Sequence, residues 1–91
     1  MVVYVDVDDT LVRWCGSKYV PRSSVIEKIK ERAAAGERLF LWSRAGDGPA
    51  RQVAEELGIA ELFEAILPKP DHIIDDEPFS EWEFCSYEYP W

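Results

Sequence analysis

Cysteine and histidine are both scarce in this chain, with two cysteines, Cys15 and Cys85, and one histidine, His72, in 91 residues. The thiols lie far apart and outside any CxxC spacing, so neither a disulfide framework nor a zinc site is indicated, and both are read as free thiols. Basic residues are few as well. Ten lysines and arginines against eighteen aspartates and glutamates give a formal charge of -8. That charge opposes attraction to anionic lipid and disfavours nucleic acid as a partner. No apolar run approaches membrane length, and the start from Met1 to Asp6 lacks a basic flank and meets a carboxylate too soon for a secretory signal. A soluble, cytoplasmic protein without a membrane partner is therefore expected.

What the chain does have is enough apolar material for one core. Its 47% apolar content includes 13% aromatics, and its length leaves no room for a second core, so residues 1–91 are read as a single domain. An acidic chain that binds a phosphorylated ligand needs a cation, which is a first pointer to a metal.

Val2 to Val7 is a β-branched and aromatic run without alternation, which predicts a strand buried on both faces. Leu11 to Pro21 has no period and reads as a loop with room for a short hairpin. Ser24 and Glu27 have the spacing of a capping box, and Val25, Ile26, Ile29 and Ala33 follow at helical intervals until Gly36 supplies a stop. Leu39 to Trp42 predicts a second strand. Asp47 is placed to cap a second helix with Pro49 in its first turn, Val53 and Leu57 facing inward, and Gly58 at its end. Ala65 to Leu67 predicts a third strand and His72 to Ile74 a fourth. Strands alternating with helices predict an α/β domain with a doubly wound, Rossmann-like parallel sheet and helices on both faces. The aromatic tail, residues 78–91, is expected to pack on the core or on a second subunit.

In an open parallel sheet, functional groups gather beyond the carboxyl ends of the strands. Asp6, Asp8, Ser43, Lys69, Asp75 and Asp76 each fall at or just after a predicted strand end. The first of these strands and its exit read Val5-Asp6-Val7-Asp8-Asp9-Thr10-Leu11, an Asp-x-Asp-x-Thr sequence. Ser43 follows an apolar strand, Lys69 stands between two prolines, and Ile73-Ile74-Asp75-Asp76 ends in paired carboxylates. In this order the four elements resemble the motifs of the haloacid dehalogenase superfamily, and they span residues 2–76.

That resemblance implies a magnesium-dependent phosphohydrolase, a phosphomonoesterase working through an aspartyl-phosphate, with the superfamily's core and no cap domain. Asp6 would be the nucleophile and Asp8 the general acid and base. Thr10, Ser43 and Lys69 would hold the phosphate, with Thr10 equally able to serve only as a turn residue. Magnesium would be held by Asp6, the backbone carbonyl of Asp8, and Asp75, with Asp76 behind it or ligating in its place. The phosphorylated substrate is open, since the gaps between motifs are too short for a cap and leave the site exposed. So small a core makes a homo-oligomer formed through Trp82, Phe84, Tyr87 or Trp91 one expectation. The alternative function is a slow or non-catalytic magnesium-binding regulatory module. Receiver domains of two-component signalling share the acidic and magnesium-binding character, but their acidic pair comes first in the chain. Arg13, Trp14 and Arg44 flank the predicted site on two loops, and His72 is read as a surface residue.

Overall fold

The computed structural model describes residues 1–90. Its elements in chain order are β1 (Val2–Asp6), β2 (Val12–Cys15), β3 (Lys18–Pro21), α1 (Ser23–Ala34), β4 (Arg38–Ser43), α2 (Asp47–Glu56) and β5 (Ala65–Pro68). Single 3-10 turns form at Ala60–Leu62 and Phe79–Glu81. β1, β4 and β5 make a parallel sheet in the order β1-β4-β5, while β2 and β3 form a separate antiparallel hairpin.

This order corrects the expected doubly wound, Rossmann-like core with helices on both faces. β4 pairs beside β1, and β5 pairs beside β4 on the side away from β1, so both crossovers step in the same direction. Right-handed crossovers that keep stepping one way leave their helices on one face. Doubly wound folds instead need the chain to return past the first strand and step the other way. Nothing among the described residues makes that return, and the core of the superfamily that the motifs resemble is not what this sheet forms.

Burial follows the one-sided layout. Along β4, Leu39, Leu41 and Ser43 are buried while Arg38, Phe40 and Trp42 are not. Val25 and Ile29 of α1 and Ala50, Val53 and Ala54 of α2 share one core with Leu39, Leu41 and Ile66. The opposite face carries Tyr4 stacked on Phe40 at 5.0 Å and meeting Trp42 edge-on at 4.9 Å. Val2 and Tyr4 are exposed there, so β1 is not the strand buried on both faces that its composition predicts. An unalternating β-branched run reports strand propensity but not which faces a neighbour covers.

Three other expectations shift. α1 begins at Ser23 with Arg22 as its cap residue and no side-chain capping bond, so Ser24 and Glu27 form no capping box. Asp47 is the first residue of α2 and not its cap, which is Gly46. The stops hold, with Gly36 at φ 81° and Gly58 at φ 71°, left-handed values that glycine adopts without steric penalty. The fourth strand does not form: residues 72–74 are irregular, and Ile74 is 94% exposed. Pro68 and Pro70 cannot donate to a ladder, and the segment beyond them has only two apolar side chains between charged neighbours.

Candidate active site

The carboxyl ends of the three parallel strands converge, as the sequence predicts. Asp6 ends β1, Ser43 ends β4, and Lys69 is the first residue after β5. The Lys69 amide donates to the Ser43 carbonyl at 2.8 Å, which fixes the two strand exits side by side.

Asp8 and Thr10 reach the same edge through a tight turn. The carbonyl of Val7 accepts from the amides of Thr10, Leu11 and Val12, and the Asp9 amide donates to the Val12 carbonyl at 2.8 Å. Asp9 sits at φ 61°, a left-handed conformation that aspartate tolerates better than most residues. Val7, Leu11 and Val12 are buried, so this turn is anchored in the core while its polar side chains stay at the surface.

Within the cluster every predicted side chain has a defined partner. Lys69 Nζ lies 3.5 Å from Asp6 Oδ1, and Thr10 Oγ1 donates to Asp6 Oδ2 at 3.2 Å. The buried Ser43 Oγ donates to Asp8 Oδ2 at 3.2 Å and accepts from the Ala45 amide at 3.1 Å. Lys69 Nζ also stands 5.6 Å from the centroid of the Trp42 ring, a cation–π arrangement that helps to hold the ammonium over the sheet edge. The hydroxyl of Thr10, assigned to phosphate from the sequence, is directed at the Asp6 carboxylate.

Asp75 and Asp76 are not part of this cluster. Both are exposed on the irregular segment after β5, and Asp75 Oδ1 accepts from the Glu77 amide at 3.0 Å in a local turn. Among the described residues no group of three or more His, Cys, Asp or Glu side chains is arranged to hold a metal. Asp6 and Asp8 remain as an oxygen donor pair. Magnesium is commonly held by one or two carboxylates together with a substrate phosphate and waters, so this pair has the right chemistry for it.

One contact at the site has no counterpart among the sequence motifs. Trp14 of β2 donates its indole N–H to Asp8 Oδ1 at 2.6 Å. Its ring meets Tyr19 of β3 edge-on at 5.2 Å, and the Tyr19 hydroxyl donates to Glu56 at the end of α2. The Tyr19 phenol is pushed up to about 12, first by that hydrogen bond to Glu56. A signal was present in the sequence. Gly16-Ser17 is a two-residue hairpin turn, with Gly16 at φ 67° as such turns require, and it sets Trp14 directly opposite Tyr19.

Cys15 and Cys85 are free and exposed, as expected, and His72 is exposed. The tail touches α1 through Glu88, which pairs with Lys28 at 2.9 Å and Arg32 at 3.5 Å. Phe84 and Tyr87 are exposed, and Trp91, offered above as an interface residue, lies outside the described residues. Among the described residues no helix is long and apolar enough to cross a membrane. No family model, curated protein or solved structure matches the chain.

Proposed function

We propose that this chain is a magnesium-dependent phosphohydrolase that works through an aspartyl-phosphate at Asp6. The observation that carries this reading is the meeting of Asp6, Asp8, Ser43 and Lys69 at one sheet edge, with Lys69 and Thr10 on Asp6 and Ser43 on Asp8. The motif order that resembles the haloacid dehalogenase superfamily supports the same chemistry, although the sheet does not have that superfamily's topology.

An Asp6 carboxylate oxygen attacks phosphorus, and the bond from phosphorus to the leaving oxygen breaks. Asp8, entering protonated, gives its proton to that oxygen. Water then attacks the phosphorus of the aspartyl-phosphate while Asp8 takes a proton from it, which releases phosphate, frees Asp6 as a carboxylate and returns Asp8 to the protonated acid. Lys69 would donate to a non-bridging oxygen by exchanging part of its contact with Asp6 for substrate, whereas the Ser43 hydroxyl, whose one hydrogen goes to Asp8, would act on the phosphate only by giving up that bond. Magnesium, held by the Asp6 carboxylate and the Asp8 backbone carbonyl, would supply the remaining positive charge that a carboxylate needs to approach a phosphate.

The test is phosphate release from a generic aryl phosphate, with and without magnesium, for wild type and Asp6→Asn. Wild type is expected to turn over only with magnesium, and Asp6→Asn to lose at least about a thousandfold, since no covalent intermediate can form. Equal behaviour of the two proteins sinks the proposal. One observation favours a second reading, that of a slow or non-catalytic magnesium-binding module. Asp75 and Asp76, the other carboxylates named for the metal, lie outside the cluster. Magnesium binding without turnover in the same assay selects that reading.

A further inference from the structure

The Asp8 carboxylate is held from two directions. Ser43 donates to Oδ2 from the buried end of β4, at 3.2 Å. Trp14 donates to Oδ1 from the hairpin, at 2.6 Å. Ser43 is fixed by its strand, but Trp14 is 41% exposed and owes its place to the hairpin's own architecture. At the base of the hairpin Leu11 and Val12 are fully buried. Further out, the edge contact of Trp14 with Tyr19 and the Tyr19 bond to Glu56 brace the hairpin against α2. An indole N–H is a donor only and does not titrate at ordinary pH. Trp14 can therefore orient a carboxylate but cannot replace it as an acid.

We propose that Trp14 is a positioning residue that fixes the Asp8 carboxylate for proton transfer to the leaving oxygen, and that Tyr19 and Glu56 hold it there. This inference rests on the aspartyl-phosphate reading above. A carboxylate free to rotate spends less time aligned with the leaving oxygen, and misplacement of a reacting group by about 1 Å can slow a reaction by about a hundredfold. The hairpin then has a defined function in the chemistry beyond covering part of the site.

The decisive variant is Trp14→Phe, which keeps an aromatic ring on the Tyr19 side while removing the donor along with part of the ring's bulk. Its kcat/KM is compared with wild type on two substrates, an alkyl phosphate and a nitrophenyl phosphate. The alkyl leaving group needs a proton from Asp8 as the bond breaks, whereas nitrophenolate leaves with little help. A positioning role predicts a loss of about tenfold to a hundredfold on the alkyl ester and a clearly smaller loss on the nitrophenyl ester. A general disturbance of the site slows both equally. Tyr19→Phe, which keeps the indole but releases its brace to α2, should show the same bias to a lesser degree and serves if Trp14→Phe does not fold. Equal losses on the two esters, or none, in a protein whose wild type is active overturn the positioning role alone. A wild type that is inactive on both esters overturns the hydrolase reading and this inference with it.

Discussion

Tyr19 shows how one side chain ties the hairpin to the rest of the molecule. Its phenol is pushed up to about 12 from an ordinary value of 10.0, chiefly because the hydroxyl donates to Glu56. A group that holds its proton more tightly when folded adds stability below its ordinary value, and loses it as pH rises through the folded one. The contribution is therefore intact at neutral pH and disappears between about pH 10 and pH 12. Tyr19→Phe should unfold at a lower temperature than wild type at neutral pH, with the difference closing across that alkaline window. A difference that persists unchanged through the window would show that packing, not the hydrogen bond, joins the hairpin to α2. At this scale the sequence was informative where a residue's position follows from the strand it ends. Asp6, Ser43 and Lys69 could be placed because a strand delivers its last residue to a known edge. Trp14 could be set beside the site on its loop, but its contact with Asp8 could not be foreseen, since that depends on how the hairpin folds over the turn at Asp9. Asp75 and Asp76 were misplaced for the converse reason, because the strand meant to deliver them does not form.

The elements themselves were legible wherever hydrophobic spacing repeats. α1 and α2 lie within a residue or two of their predicted limits, and the stops at Gly36 and Gly58 fall where a left-handed residue ends a helix. Start signals were less reliable, because Ser24 and Asp47 are acceptable caps by type but lie inside their helices. The chain enters α1 two residues and α2 one residue earlier than their polar side chains suggest, and backbone geometry decides the matter at that range. β4 is the central strand and bears the most consequence for stability. Leu41 is wholly buried in the single core that both helices share. Leu41→Ala leaves a cavity that the sheet and two helices cannot easily close, and should cost about 2–5 kcal/mol. In a domain of this size each kcal/mol lowers the unfolding midpoint by about 4–8 °C. A calorimetric shift of at least about 8 °C is therefore expected, and a shift of a degree or two would mean that the core is loosely packed around β4.

At the scale of the whole molecule, the difference between the expected and observed folds comes down to one direction of travel. Alternating strands and helices specify parallel pairing, which is present, with crossovers whose favoured hand is right. They do not specify whether the next strand continues outward or returns past β1, and that choice decides whether helices cover one face or two. With β5 continuing outward, Tyr4, Phe40 and Trp42 are left on a face without helices, and among the described residues the chain from Pro70 onward adds no strand to the sheet. Among the described residues the buried core lies between Val7 and Ile66 and takes no residue from the tail beyond Glu77. Glu88 ties the tail to α1 through its pairs with Lys28 and Arg32, all on exposed side chains, and such pairs are weak and screened by salt. The Glu88 carboxyl is held below its usual range, first by Lys28 and then by Arg32. A depressed carboxyl favours the docked tail above its ordinary pKa and ceases to do so as pH falls through the lowered value. Acid or high salt should therefore release the tail before the core unfolds, which amide hydrogen exchange across residues 78–90 would record as early loss of protection. Removing residues 78–91 should leave one cooperative transition within about 5 °C of the full-length midpoint. A truncated chain that unfolds gradually, or not cooperatively at all, would place the tail among the elements that hold the sheet together, and the open aromatic face would then be the surface to examine for its contact.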